Sequence, residues 1–98
     1  MNYLSFKGVQ YPVRVSYYAL KQYQVETGKG IESIDEDLSN LEILLFHSLI
    51  AGSKAEDKDF PLKKEDMEFF LDESLADFNE ILIGSFPDAA KSVGAKKK

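Results

Sequence analysis

Alternating apolar and polar positions open the chain and predict two short β-strands. The first spans Tyr3 to Phe6 and the second spans Val9 to Val15, and both are rich in aromatic and β-branched residues. Lys7-Gly8 between them suits a tight turn, since glycine tolerates positive φ. Pro12 cannot donate to a strand ladder, so we expect the second strand to lie at a sheet edge there. Two strands alone are barely stable, which predicts a helix packed against the hairpin.

Apolar residues at three- and four-residue spacing then predict two helices. The first runs from Tyr17 to about Thr27, with Ser16 as its N-cap and Gly28 as its left-handed stop. The second runs from about Leu38 to Ala51 and ends at Gly52. It is apolar on nearly every side, so we assign it to the centre of the core. The same leucine-rich surface also fits a dimer face, so self-association stays open.

The second half of the chain predicts two further helices after an exposed linker at Ser53 to Asp59. A third helix spans about Lys63 to Asp72, and a fourth spans about Leu75 to Ser85 with Ser74 as its N-cap. The inward stripe of the fourth helix is Leu75, Phe78, Leu82 and Phe86, and Pro87 closes it. The predicted fold class is therefore α+β and mostly helical: an N-terminal β-hairpin followed by a small bundle of three to four helices.

Length and composition favour one small domain. The chain has 98 residues, of which 44% are hydrophobic, and no cysteine. We expect a single globular domain over residues 1–90 and a flexible lysine-rich tail over residues 91–98. The lack of cysteine excludes disulfides and thiolate chemistry and fits a reducing cytoplasm. Lys7 and Arg14 interrupt any apolar N-terminal run, so we expect neither export by an ordinary signal nor a membrane anchor.

Charge is distributed unevenly along the chain. All seventeen acidic residues lie between Glu26 and Asp88 beside five basic ones, so this middle segment carries a net charge of −12 while the whole chain carries −5. An acidic body repels nucleic acid and anionic lipid but suits a protein-binding role, so we expect no nucleic-acid partner and no membrane partner. The four lysines within residues 91–98 are a weak anchor, and we interpret them as solubilising.

The residue patterns predict no catalytic, cofactor or metal site. His47 is the only histidine, and its helical neighbours at three- and four-residue spacing are all apolar, so we expect a structural role. The acids from Asp35 onward lack the glycine and the final glutamate of a calcium loop. Gly28-Lys29-Gly30 lacks the full pattern of a phosphate loop. The clustered carboxylates at 56–59 and 65–68 fit solvated faces, so we expect no enzyme activity.

Several apolar residues fall away from the inward stripes of the predicted helices. In a compact bundle some of them belong to the core, whereas a group exposed together would mark a protein partner. The predicted partner-binding residues are Phe46, Phe69, Ile81, Ile83 and Phe86. The hairpin edge near Pro12 offers a second docking place, since an exposed strand edge can pair with another chain.

Five segments follow one another in a recognisable order. They are Val9 to Ser16, Ala19-Leu20, Glu26-Thr27-Gly28, the helix from Leu38 to Leu49, and the acidic helix from Glu65 to Asp72. A short hairpin, a helix closed by Thr-Gly, a leucine-rich helix and an acidic helix in this order resemble the small tail assembly chaperones of long-tailed bacteriophages. The resemblance covers residues 1 to about 86. The chain departs from that pattern at Leu62-Lys63, which stands in place of a polar cap before the acidic helix.

This resemblance implies a non-enzymatic protein that keeps the tail tube protein and the tape-measure protein soluble during tail morphogenesis. It also implies a location in the bacterial host cytoplasm and absence from the mature virion. Many members of the family are made in a longer form by ribosomal frameshifting, for which the codons of Ala95 to Lys98 are the candidate slippery run. The charge pattern leaves an alternative open: an acidic adaptor or inhibitor that binds a basic protein partner with steep salt dependence.

Overall fold

In the computed structural model, which describes residues 2–85, a β-hairpin is followed by three α-helices. Strands β1 (Asn2–Phe6) and β2 (Val9–Val13) pair antiparallel, with Leu4 opposite Tyr11. The helices are α1 (Tyr17–Thr27), α2 (Leu38–Ala55) and α3 (Met67–Ser85). Short 3₁₀ turns at Ile31–Ser33 and Lys64–Asp66 precede α2 and α3. The predicted α+β, mostly helical fold class is confirmed. Phe86, Pro87 and the predicted tail at 91–98 lie outside the described residues.

The hairpin turn forms where the sequence predicts it. Lys7 and Gly8 have φ angles of 52° and 79°, and two consecutive positive φ values are typical of the two-residue type I′ turn. The backbone N–H of Lys7 donates to the Glu73 carboxylate of α3 at 3.1 Å. The Ser74 hydroxyl of α3 donates to the backbone carbonyl of Ser5 at 2.5 Å. These two bonds fix the hairpin against α3.

Helix α2 is the central element of the core, as its leucine-rich sequence predicts. Leu44, Leu45 and Leu49 are fully buried within the chain, and α2 packs against α1, β2 and α3. The backbone N–H of Arg14 donates to the Ser48 carbonyl at 3.0 Å, which ties the end of β2 to this helix.

Gly52 lies inside α2 and does not end it, so the predicted helix boundary is wrong by one turn. A Cβ atom at this position would lie 2.3 Å from the Pro12 carbonyl oxygen. The glycine is therefore required where α2 touches the backbone of β2. The same contact buries Pro12, whereas Val9 and Gln10 at the start of β2 are exposed, so docking at this strand edge stays a prediction.

The third and fourth predicted helices are two halves of one kinked helix, α3. Ser74 has non-helical angles (φ −124°, ψ 15°) in its middle. Ser74 was expected to cap a separate helix, but its buried hydroxyl instead bonds to β1. Leu75 is 43% exposed, which corrects its place on the inward stripe, because the buried residues Phe70, Ser74 and Phe78 keep one helical period through the kink and leave Leu75 off that side. Phe78 remains fully buried, and Leu82 packs against the core.

Candidate functional site

The outward side of α3 carries three apolar residues at seven-residue spacing, Phe69, Ala76 and Ile83, which we call the α3 face. Phe69 is 62% exposed and Ile83 is 58% exposed, and Ala76 is also exposed. The opposite side of the helix supplies the core residues Met67, Phe70, Ser74 and Phe78. A seven-residue repeat returns to nearly the same side of a helix, so the three outward residues share one stripe.

The α3 face is bordered by negative charge. The helix carries five acidic residues and no basic one between positions 67 and 85, and all five are exposed: Glu68, Asp72, Glu73, Asp77 and Glu80. Asp72 lies three residues after Phe69, and Glu80 lies three residues before Ile83, so each is a surface neighbour of an exposed apolar side chain. The helix therefore presents an apolar stripe with an acidic rim.

The predicted partner-binding residues divide into three groups. Phe69 and Ile83 are exposed on the α3 face, as their off-stripe positions predict. Phe46 and Ile81 are half-buried and pack against the core. Phe86 lies outside the described residues. The structure thus leaves two of the five side chains exposed, one in each half of α3, and packs two others against the core.

Phe46 is held by aromatic and cationic neighbours. Its ring lies 5.9 Å from that of Phe60 and 5.3 Å from the imidazole of His47, both edge-on. The ammonium group of Lys64 lies 5.7 Å from the ring centroid, within cation–π range. Phe60 and Lys64 lie beyond α2, before and within the second 3₁₀ turn, so Phe46 joins α2 to that part of the chain.

Ile81 lines an open groove between the start of β1 and the second half of α3. Asn2 and Tyr3 form one wall, and Asp77 and Glu80 lie on the other. The Tyr3 hydroxyl donates a hydrogen bond to the Glu56 carboxylate, and this bond is the largest cause of the raised pKa of the Tyr3 phenol. A groove this open suits contact with a polypeptide segment better than enclosure of a small molecule.

His47 belongs to a polar cluster that the sequence did not predict. Its Nε2 atom lies 2.6 Å from Oε1 of Glu26 in α1, and Oε2 of the same carboxylate accepts from Lys64 Nζ at 2.6 Å. The imidazole is 7% exposed, and within the described residues its Nδ1 atom has no hydrogen-bond partner. A histidine oriented by a carboxylate is half of an acid–base pair, but the other half needs a reacting group at the second nitrogen. Here that second nitrogen, Nδ1, is buried. Through Glu26, His47 and Lys64 the cluster connects α1, α2 and the 3₁₀ turn before α3.

Glu26 makes this cluster sensitive to acid. Burial raises the pKa of its carboxyl, but hydrogen bonds from Lys64 and His47 and their positive charge outweigh burial, so the pKa lies below the ordinary value of 4.5. A lowered folded-state pKa means that the ionised carboxylate stabilises the fold above that ordinary value. The contribution is lost as the pH falls through the folded-state pKa.

We therefore expect Glu26→Gln to lower the free energy of unfolding by about 1 kcal/mol at pH 7, since the amide still accepts from His47 but carries no charge for Lys64. Urea unfolding should show the gap between wild type and variant closing as the pH falls well below 4.5. The exposed Glu65→Gln is the control and should change little at either pH. A gap of equal size at neutral and acid pH would contradict the assigned role of the charge.

Residues 2–85 contain neither a metal-binding cluster nor a membrane-spanning helix. Among them, no group of three or more histidine, cysteine, aspartate or glutamate side chains is arranged to hold a metal ion. None of the helices within residues 2–85 combines the length and apolar content that crossing a bilayer requires.

Sequence reasoning missed the outward position of Leu75 and the acidic rim of the α3 face. Leu75 was expected on the inward stripe with Phe78 and Leu82, but the buried period of α3 runs through Phe70, Ser74 and Phe78 and leaves Leu75 43% exposed. Asp72 and Glu80, which form the rim, lie outside the carboxylate clusters at 56–59 and 65–68 that the sequence analysis interpreted as solvated faces. The seven-residue spacing of Phe69, Ala76 and Ile83 is visible in the sequence. It could have predicted that these residues form one stripe with acidic side chains beside it.

Comparison with protein-family models, with curated proteins and with solved structures gives no significant match in any of the three.

Proposed function

We propose that this chain is a non-enzymatic tail assembly chaperone of a long-tailed bacteriophage. In this role it binds the tail tube protein, the tape-measure protein or both in the host cytoplasm and is left out of the mature virion. The observation that carries the proposal is the α3 face, where Phe69 and Ile83 are more than half exposed within an acidic helix. The element order described from the sequence supplies the specific assignment.

The physical demands of holding a subunit match this surface. A holding protein must cover an apolar face of its client, and exposed aromatic and aliphatic side chains provide that contact. It must also keep the complex in solution, and the −12 middle segment supplies mutual repulsion between complexes. The contact must be weak enough to yield when the client polymerises, and a single apolar stripe of three residues is small enough to do so.

The proposal is tested by co-expressing the full chain with tail tube and tape-measure proteins from the same genome. We expect the soluble fraction of at least one client to rise and the client to co-purify with the tagged chain. The double variant Phe69→Ser with Ile83→Ser should remove most of that gain. An unchanged soluble fraction together with no co-purification of either client would refute the proposal.

An acidic adaptor for a basic protein is the second candidate, favoured by the five acids and absent bases of α3. The two functions differ in their response to salt. A contact carried by charge alone weakens steeply between low and physiological ionic strength, whereas a contact carried by Phe69 and Ile83 persists. Retention of the client on the tagged chain across a salt gradient separates them.

A further inference from the structure

We infer that the α3 face binds an amphipathic helix whose apolar residues repeat every seven positions and are flanked by lysine or arginine. This inference rests on the proposed function, because it names the kind of client segment that the chaperone holds. Its basis is that one helix carries both an apolar stripe with seven-residue spacing and an acidic rim without basic residues.

The apolar geometry sets the shape of the partner. Phe69, Ala76 and Ile83 extend over fourteen residues of helix, or about 21 Å at 1.5 Å per residue. Ala76 between two larger side chains leaves a shallow place in the stripe, where a large partner residue fits. A partner helix with one large apolar residue per heptad matches this stripe in period, since equal repeats keep two helices in register.

The charges set the chemistry of the partner. Asp72 and Glu80 border the stripe, because each is exposed and lies three residues from an exposed apolar side chain on the neighbouring helical turn. No lysine or arginine between residues 67 and 85 balances them. A second copy of this chain is excluded as the favoured occupant, because two such faces would bring like charges together. A helix with basic flanks neutralises the rim.

The exposure pattern agrees with this assignment. Glu73 is partly committed within the chain, since its carboxylate accepts the backbone N–H of Lys7. Asp72 and Glu80 are exposed, and each lies three residues from an exposed apolar side chain. The two acids best placed to meet a partner are therefore the two that flank the stripe.

The test uses the full chain and three designed 21-residue helical peptides. The first has leucine at seven-residue spacing with lysine flanks, the second has the same leucines with glutamate flanks, and the third has lysine flanks with serine in place of leucine. Fluorescence anisotropy of labelled peptide measures binding at about 20 mM and about 200 mM salt, conditions that differ in screening length by about threefold. We expect the first peptide to bind at least tenfold more tightly than either of the others.

Two double variants with the same net charge locate the binding surface. Asp72→Lys with Glu80→Lys should weaken binding of the lysine-flanked peptide on the order of tenfold and improve binding of the glutamate-flanked one. Asp35→Lys with Asp59→Lys changes exposed positions outside α3. It should change the affinity for the lysine-flanked peptide by less than about twofold, because these charges do not lie beside the α3 face. Equal losses in both variants would show that only net charge matters and would overturn the inference.

A second pair separates apolar contact at α3 from general surface hydrophobicity. Phe69→Ser with Ile83→Ser should weaken the first peptide at least tenfold, whereas Val25→Ser with Leu38→Ser should not, although those side chains are 68% and 80% exposed. Circular dichroism checks that each variant is folded. If no peptide binds while the tail proteins are still held soluble, the inference falls and the chaperone function stands. If the peptides follow the charge rules but neither tail protein is held, the binding mode stands and the chaperone function falls.

Discussion

Gly52→Ala is expected to lower the free energy of unfolding by about 2 kcal/mol, although alanine is the better helix former. In a helix interior the exchange of glycine for alanine normally stabilises by up to about 1 kcal/mol. At Gly52 the new Cβ would lie 2.3 Å from the carbonyl oxygen of Pro12 and 2.7 Å from the backbone nitrogen of Val13. These are backbone atoms and cannot rotate away, so α2 must move off β2.

The cost of that movement comes from several contacts at once. The hydrogen bond from Arg14 N–H to the Ser48 carbonyl lies one turn earlier on the same side of α2 and would lengthen. Overpacking of this kind costs about 1–3 kcal/mol or more, which exceeds the gain in helix propensity. For a domain of this size, the net loss corresponds to a midpoint of thermal unfolding lower by roughly 10 °C.

Gly84→Ala in α3 is the matched control, because an added Cβ there would have no atom within 4 Å. It should leave stability unchanged or raise it by a few tenths of a kcal/mol, since the position is near the helix end. Thermal and urea unfolding followed by circular dichroism measure both variants. Equal, small effects at the two positions would mean that α2 does not press on the β2 backbone in solution.

Gly52 also shows why the sequence predicted the elements better than their boundaries. The turn at Lys7-Gly8 and the cap at Ser16 depend on residues next to one another in sequence, and both form as predicted. A glycine after an apolar helical run can mark either the end of the helix or a place where another backbone segment packs closely against the helix. Strand β2, which packs against Gly52, lies far away in the sequence. The local pattern therefore favoured a helix end at this glycine.

The same distinction governs the candidate site. The exposure of Phe69 and Ile83 follows from the helical period of their own segment, and the sequence predicted both. The packing of Phe46 depends on Phe60, and the partner of His47 is Glu26, 21 residues earlier in the chain. Such contacts arise only after the helices are placed. The residue at the kink, Ser74, likewise donates a hydrogen bond to Ser5, 69 residues earlier in the chain.

Phe69 and Phe70 are adjacent in α3 and are expected to respond to mutation in opposite ways. Phe70 is fully buried, and its ring stacks on Phe6 at 5.0 Å and meets Tyr11 at 5.7 Å. Phe70→Ala would leave a cavity where the hairpin meets α3 and should cost about 3–5 kcal/mol, a large part of the stability of a small domain. Phe70→Leu keeps most of the volume and should cost about 1.5 kcal/mol, so it provides a folded variant for measurement.

Phe69→Ala should change the free energy of unfolding by no more than about 0.5 kcal/mol, because its side chain is already 62% exposed. Under the proposed function, the same change should also reduce retention of the tail clients, which Phe70→Leu should leave nearly intact. Urea unfolding reports on packing in the core, and co-purification reports on contact with the client. Together the two measurements show whether each phenylalanine acts in the core or at the surface. If Phe69→Ala destabilised the fold as much as Phe70→Leu and left client retention unchanged, Phe69 would be a packing residue and the α3 face would lose its principal contact.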